Sequence, residues 1–388
     1  MTLSLVQFRD QFPILRTRAF LFSGALTPAA QPVADAFSAW TQAWMQDPLY
    51  NFGRYQQELD DLRASLGRLI GADADEIAIT ENTSAASNLA VRMLASRRRG
   101  TVVVDDTTYP SSLYPWLSST DKKLRYVATD ALVDPTDALA EAIDDDTVAL
   151  TITHVGDLTG RRHQLQPLAE AAHERGAALI VDVAQSAGVV PINLRADGVD
   201  IACGTFMKWL LGPPGVGFLY VRRELIEELP LLDVGYEGVK VPWHDWPQLT
   251  LPAAAVGARR YQLGVPTLGA LAAARVGVDL IAEVGVEAIS EQSNRLVGRC
   301  LEALHERRRP VRTPSAASAR AGVIAYDEPR DRAIEAFLRL RGVDVGALGF
   351  GCIRIDPHAF NNDDDIDRLL EELDNFERHH PEAREAAS

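Results

Sequence analysis

The chain is poor in cysteine, in cationic charge and in long apolar runs, and each shortage excludes something. Its three cysteines, Cys203, Cys300 and Cys352, are odd in number and far apart. They fit neither a disulfide framework nor the ligand spacing of a zinc site, so a reducing, cytoplasmic compartment is expected. With 39 Lys and Arg against 54 Asp and Glu, the formal net charge is −15. Such a field repels nucleic acid and anionic membranes, and neither is an expected partner. The most apolar stretch, near 209–221, is broken by Gly212-Pro213-Pro214-Gly215 and is too short for a bilayer. Arg9, Asp10, Arg16 and Arg18 leave no uninterrupted apolar core for a signal peptide. A soluble protein is expected. His154, His163, His173 and His379-His380 show no ligand spacing, and Asp144 to Asp146 and Asp363 to Asp365 read as solvated turns and caps, so no metal is expected.

What is present is material for large cores. Hydrophobic residues make up 47% of 388, enough for two or three structural units. Thr27-Pro28 reads as the start of a helix over 28–46, with Val33, Phe37, Trp40 and Trp44 on one face. A second helix is expected from Tyr55 to Ile70, ended by Gly71, with a strand at 76–80 after it. Strand-like segments follow at 101–104, 124–127, 147–153, 178–182 and 217–221, separated by helical stretches such as Pro167 to Arg175. This alternation implies an α/β fold built on a mainly parallel sheet, with ligands at the carboxyl ends of its strands. After about 268 the pattern changes to long helices, short strands near 322–326 and 353–355, and a last helix after Asn361-Asn362-Asp363. The expected division is an N-terminal segment over 1–27, a large ligand-binding unit over 28–267 and a small α+β unit over 268–388.

Chemistry concentrates in 177–221. An apolar strand ends in Asp182, which places a carboxylate at the ligand edge of the sheet. Lys208 is followed by Trp209, Leu210 and Leu211, and an apolar setting lowers a lysine's pKa, as an imine-forming amine requires. Such a lysine and such a carboxylate are the two groups pyridoxal phosphate needs most: one holds its aldehyde, the other keeps its pyridine nitrogen protonated. A lysine before a tryptophan, taken alone, is more commonly a solvated surface residue. The combination is more specific.

With "DVAQ" at 182–185, "KWLLGPPGVGFLYV" at 208–221 and "ENTSAASNLA" at 81–90, nearly the whole chain resembles the class V aminotransferase family of fold-type I pyridoxal-phosphate enzymes. That group includes cysteine desulfurases, kynureninase-like hydrolases and isopenicillin N epimerase-like proteins. The resemblance implies pyridoxal 5'-phosphate as cofactor, Lys208 as its covalent holder and Asp182 as the partner of the pyridine nitrogen. It implies Gln185 near the phenolic oxygen and Thr83, Ser84 and Thr205 as phosphate donors, where an ordinary helix cap is the alternative for the first two. Tyr109 occupies the place of the ring-stacking aromatic, or is a core tyrosine. Arg354, between Ile353 and Ile355, resembles the arginine that clamps a substrate α-carboxylate, against the alternative of a surface ion pair.

The chain also departs from that pattern. Asp157 stands where many relatives have asparagine near the phenolic oxygen, and Met207 where desulfurases carry histidine. The family's Gly-Thr-Pro turn, which reaches the phosphate of a neighbouring subunit, reads Gly264-Val265-Pro266-Thr267, leaving Thr267 as the hydroxyl that could compensate. The contact implies a homodimer with active sites at the interface. A desulfurase needs a mobile thiolate before the clamping arginine, whereas Cys352 lies two residues from Arg354, which argues against desulfuration. The expected reaction is therefore β-elimination on an amino acid or cysteine conjugate, a C–S lyase in specialised biosynthesis. Transamination, decarboxylative oxidative deamination, kynureninase-like hydrolysis and epimerisation are the alternatives, with a pyridoxal-phosphate-binding scaffold as the non-enzyme reading. The aromatic stretch 235–247 is read either as lining for a roomy pocket or as a loop packed at a dimer interface.

Overall fold

A computed structural model of the chain describes residues 3–96, 99–119, 122–240 and 250–380. Twelve strands occur among them: β1 Ala19–Phe20, β2 Ile77–Thr80, β3 Thr101–Asp105, β4 Lys123–Val127, β5 Thr147–Thr153, β6 Ala178–Asp182, β7 Ile201–Thr205, β8 Gly217–Val221, β9 Ile324–Asp327, β10 Val343–Asp344, β11 Gly346–Ala347 and β12 Cys352–Ile355. Seven of them form the large sheet in the order β2-β8-β7-β6-β5-β3-β4. Pairing is parallel from β7 through to β4, and β8 runs antiparallel to both of its neighbours. The expected mainly parallel α/β architecture is thus present.

Alternation within the strands explains why both faces of the sheet are covered. Val103, Leu179, Val181, Phe218 and Tyr220 enter one apolar cluster, while Val102, Val104, Ile180, Leu219 and Val221 enter another. Continuous burial of this kind is the signature of a sheet flanked by helices on both sides. The helix Tyr55–Ile70 ends as the sequence indicates, at Gly71 with φ +68°, a left-handed position open to glycine at little cost. Strand β7 carries no sequence signal of its own: Ile-Ala-Cys-Gly-Thr has one β-branched residue at each end and small residues between.

A third cluster lies in the C-terminal part, where β9, β11 and β12 form an antiparallel sheet with Ile324, Tyr326, Ile353 and Ile355 inside. Ala19 and Leu21 from the N-terminal segment belong to this cluster, whereas Phe8 and Phe12 pack into the first. The helix Leu268–Val284 also packs into the first cluster through Ala270, Leu271, Ala274 and Val278, and Leu296, Val297 and Leu301 of the following helix Val286–Glu306 enter the third.

Two sequence expectations are corrected. The helix expected over 28–46 is Gln31–Gln46, and its N-cap is Ala30 rather than Thr27. Thr27 is occupied elsewhere: its amide donates to Met207 O at 3.0 Å and its hydroxyl to Ser23 O at 3.3 Å, which ties the opening segment to the Lys208 loop. Asp365, expected to be solvated, is buried and accepts from Arg9 Nη1 at 2.7 Å.

Candidate active site

A cavity of about 380 Å³ opens at the carboxyl edge of the large sheet. Lys208, Asp182, Gln185, Thr205, Thr83, Ser84, Tyr109, Asp157 and Arg354 all line it, although they are scattered over more than 270 positions of sequence. Thr267 does not. It is exposed at the N-cap of Leu268–Val284.

Asp182 is the last residue of β6 and is 2% exposed. Among the described residues, its carboxylate accepts the Ala184 amide at 2.9 Å and the Ser112 hydroxyl at 3.3 Å. Burial pushes its pKa up, against the pull of that amide and of Lys208. Burial likewise pushes the Lys208 ammonium down, and Asp182 opposes the shift only in part. Lys208 follows β7 in a turn where Leu211 N bonds Lys208 O at 3.1 Å and Leu211 sits at φ +61°. A branched residue in the left-handed region is a strained position, held here because Leu211 is fully packed. Lys208 Nζ stands 5.6 Å from the centroid of the Tyr109 ring, which is half-buried and faces the same space.

At the other end, the helix Thr83–Ala95 points its N-terminus at the cavity. Asn82 caps it by accepting the Ala85 amide at 2.9 Å. The first amides of a helix lack acceptors within the helix, and with the dipole they favour an anion there. Ser84 Oγ and Ser111 Oγ, 2.7 Å apart, and Thr205 at the end of β7 add hydroxyls to the lining.

The third side is cationic. Arg354 on β12 is buried and bonds Asp356 through Nε at 2.9 Å, while its Nη2 has no partner. Burial pushes Asp356 up to about 6 despite that arginine. Asp157 is raised by burial too, with Arg354 and Lys208 pulling the other way. Gln185 divides its amide: Nε2 donates to Gly24 O at 2.9 Å, and Oε1 accepts from Trp209 Nε1 at 2.9 Å. One hydrogen of Nε2 remains for a ligand.

Met207, singled out in the sequence, also lines the cavity, and Phe22, Gly24, Ala25, Asn82, Ser111, Thr153, Ala184 and Leu348, which the sequence reading does not place in a site, complete the lining. For Phe22, Gly24, Ala25, Asn82 and Ser111 the available signal is their place in "FSGALTP", "ENTS" and "TTYPSS"; Thr153 and Leu348 stand in no such segment. Cys352 is buried, does not line the cavity, and burial pushes its thiol up. In the stretch 235–247, residues 241–247 lie outside the described residues. Tyr236 lines a separate surface hollow with Phe52, Tyr55 and Glu237.

The Aminotransferase class-V family model matches residues 19–362. A kynureninase from Pseudomonas fluorescens is 29% identical over 88% of this chain and 84% of its own. A probable cysteine desulfurase from Methanothermobacter thermautotrophicus is 26% identical over 94% and 84%. Among solved structures, a cystine C–S lyase in complex with cysteine persulfide superposes with a TM-score of 0.87 at 21% identity, covering 94% of this chain and 99% of the other.

Pyridoxal phosphate, the cofactor of this family, fits the donor set. A primary amine with a lowered pKa, a buried carboxylate with spare acceptor capacity and a helix N-terminus surround one cavity, and an aromatic ring borders it. Arg354, whose guanidinium is bonded to Asp356 through Nε alone, lines the same cavity and adds a positive charge for a second anion, the kind an amino acid brings. The chain belongs to the class-V aminotransferase family and is a pyridoxal-phosphate-dependent enzyme.

Proposed function

We propose that the protein is a C–S lyase acting in specialised biosynthesis, which removes the β-thiol of an amino acid or cysteine conjugate held in this cavity. When bound, pyridoxal phosphate supplies an electron-accepting ring that lets a substituent leave the α-carbon of an amino acid. Lys208 would hold the cofactor's aldehyde and, once freed, would carry the proton taken from the α-carbon. Asp182 would keep the proton on the pyridine nitrogen. Gln185 and Asp157 would serve the phenolic oxygen and Tyr109 the ring, Thr83, Ser84 and Thr205 would hold the phosphate, and Arg354 would take the α-carboxylate. The overall balance is a thioether-bearing amino acid plus water, giving a thiol, pyruvate and ammonia.

The observation that carries this reading is a cavity lined by the Lys208 amine and the Arg354 guanidinium but by no thiol. Cys203, Cys300 and Cys352 are all buried and none reaches the cavity. Passing sulfur to the protein needs a mobile thiolate. Elimination needs only a proton carrier, because the sulfur leaves with its own substituent. The similarity to a kynureninase and to a cystine C–S lyase of the same fold supports this reading. Transamination is the second reading, since it uses the same lysine and the same clamp.

The reading extends to a cytoplasmic homodimer. Trp44, Leu49 and Phe52 expose apolar surface, as do Leu263 and Val265, which stand next to Thr267. Burying such surface against a second copy would let Thr267 meet the partner's phosphate site. All three thiols are free, in keeping with a reducing compartment.

A visible absorbance scan of the loaded enzyme, titrated with free amino acids and cysteine S-conjugates, tests the reaction. Release of thiol, pyruvate and ammonia with spontaneous return of the cofactor band is expected. Return of the band only after a keto acid is added would identify a transaminase instead.

A further inference from the structure

The guanidinium that faces the cavity is held from behind. Asp356 has no exposed surface, and its carboxylate meets Arg354 Nε at 2.9 Å. The same carboxylate accepts the Gly24 amide at 3.1 Å. The backbone on both sides is laced in the same way: Asp356 N donates to Leu21 O at 2.7 Å, and Ser23 N to Asp356 O at 3.3 Å. Gly24 passes so close over the arginine that a Cβ there would collide with Nη2. From Gly24 the bonds continue through Gln185 to Trp209, the residue after Lys208.

An arginine side chain has enough rotatable bonds to reach several acceptors, and this cavity contains a competing one. Asp157 lines the same space and interacts electrostatically with Arg354. A guanidinium folded onto Asp157 would be unavailable to a substrate. Bonding at Nε fixes the plane of the group from its inner edge, and a guanidinium held in one plane is prepared for a planar anion.

We propose that Asp356 is a positioning residue: it fixes the Arg354 guanidinium at the wall of the cavity for the substrate α-carboxylate, and through Gly24 and Gln185 it ties that clamp to the Lys208 turn. The inference rests on the reading of Arg354 as the carboxylate clamp. It predicts selectivity. Losing Asp356 harms the binding of amino acids that carry an α-carboxylate and spares the corresponding amines that lack it. A general loss of packing has no reason to make that distinction.

The test compares the loaded wild-type enzyme with Arg354→Ala, Asp356→Ala and Asp356→Asn. The probes are an S-alkyl cysteine and the S-alkyl cysteamine that is its decarboxylated counterpart, each titrated by the change in the cofactor's visible band. Asp356→Ala is expected to weaken the amino acid about tenfold or more, the scale of one hydrogen bond to a charged group, with the amine unchanged. KM should rise with kcat nearly constant. Asp356→Asn keeps the shape and one acceptor oxygen, so it should fold even where Asp356→Ala does not, with a smaller loss of the same selectivity. Adding Asp356→Ala to Arg354→Ala should produce no further loss. Equal weakening of acid and amine, or no weakening in either Asp356 variant while Arg354→Ala shows its own, overturns the positioning role alone. No effect of Arg354→Ala overturns the clamp and the positioning role together.

Discussion

Two strands of the large sheet, β3 and β6, flank β5 and each ends in a buried aspartate, yet the two carboxylates live differently. Asp105 accepts from His163 Nε2 at 2.8 Å, Arg161 Nη2 at 2.9 Å, the Thr107 amide at 3.1 Å and Thr108 Oγ1 at 2.9 Å. Burial alone would raise it, but His163 and Arg161 together bring it down to about 2. Asp182 is equally buried, accepts two hydrogen bonds and moves upward. Residue type, burial and position in the sheet are the same; the number of partners differs. Saturation marks a carboxylate that holds the fold together. A deficit marks one that is waiting for a ligand.

The comparison can be broken from either side. Lys208→Ala should have the largest effect, removing at least about 10³-fold of turnover because both the covalent holder and the proton carrier are lost. Steady-state assays on the substrate found by the titration above check this. Asp182→Asn should lower turnover by about 10² to 10⁴, while stability to urea holds, since a carboxylate that burial disfavours is removed. Asp105→Asn should do the reverse. Its folded fraction should bind the cofactor normally, and unfolding should cost about 3 kcal/mol less because the buried Arg161 loses its nearer charge partner and keeps only Asp106, 3.6 Å away.

Acid should separate the two in the same way. The folded pKa of Asp105 lies below its ordinary value of 3.8, so its stabilisation is present above that value and is lost as pH falls toward about 2. The loss amounts to about 2 kcal/mol. The folded pKa of Asp182 lies above 3.8, so its ionisation opposes folding as pH rises. Urea curves between pH 5 and pH 2 should therefore show a steep fall in the wild type and a shallower one in Asp105→Asn. The smallest effect is expected at the phosphate end: Ser84→Ala should weaken cofactor binding by about tenfold or less, one hydroxyl among several donors, as read by titrating the apoenzyme.

Much of this was legible in the sequence because it depends on local order. Alternating strands and helices, the Gly71 stop and the strand ending in Asp182 are all encoded within a few residues of where they act. Lys208, Asp182, Gln185 and Arg354 could be named because they stand in quotable motifs. What was not legible depends on contacts across hundreds of positions. Thr27 reads as a helix cap in the sequence, yet its amide bonds Met207 O, 180 positions away. Asp356 stands in no motif that marks it, and its role shows only through its bonds to Gly24, across more than 300 positions, and to Arg354 on β12. Strand β7 is small-residue backbone whose strand character comes from pairing with β6 and β8. Thr267 is a different case, since a role for it depends on a second copy of the chain.

The account stands on Lys208 as the residue that holds pyridoxal phosphate. Borohydride reduction of the loaded enzyme, followed by peptide mapping by mass spectrometry, tests this directly. The account predicts a phosphopyridoxyl group on Lys208 and loss of the visible band on reduction. A modification at another lysine, or none after incubation with the cofactor, would contradict it.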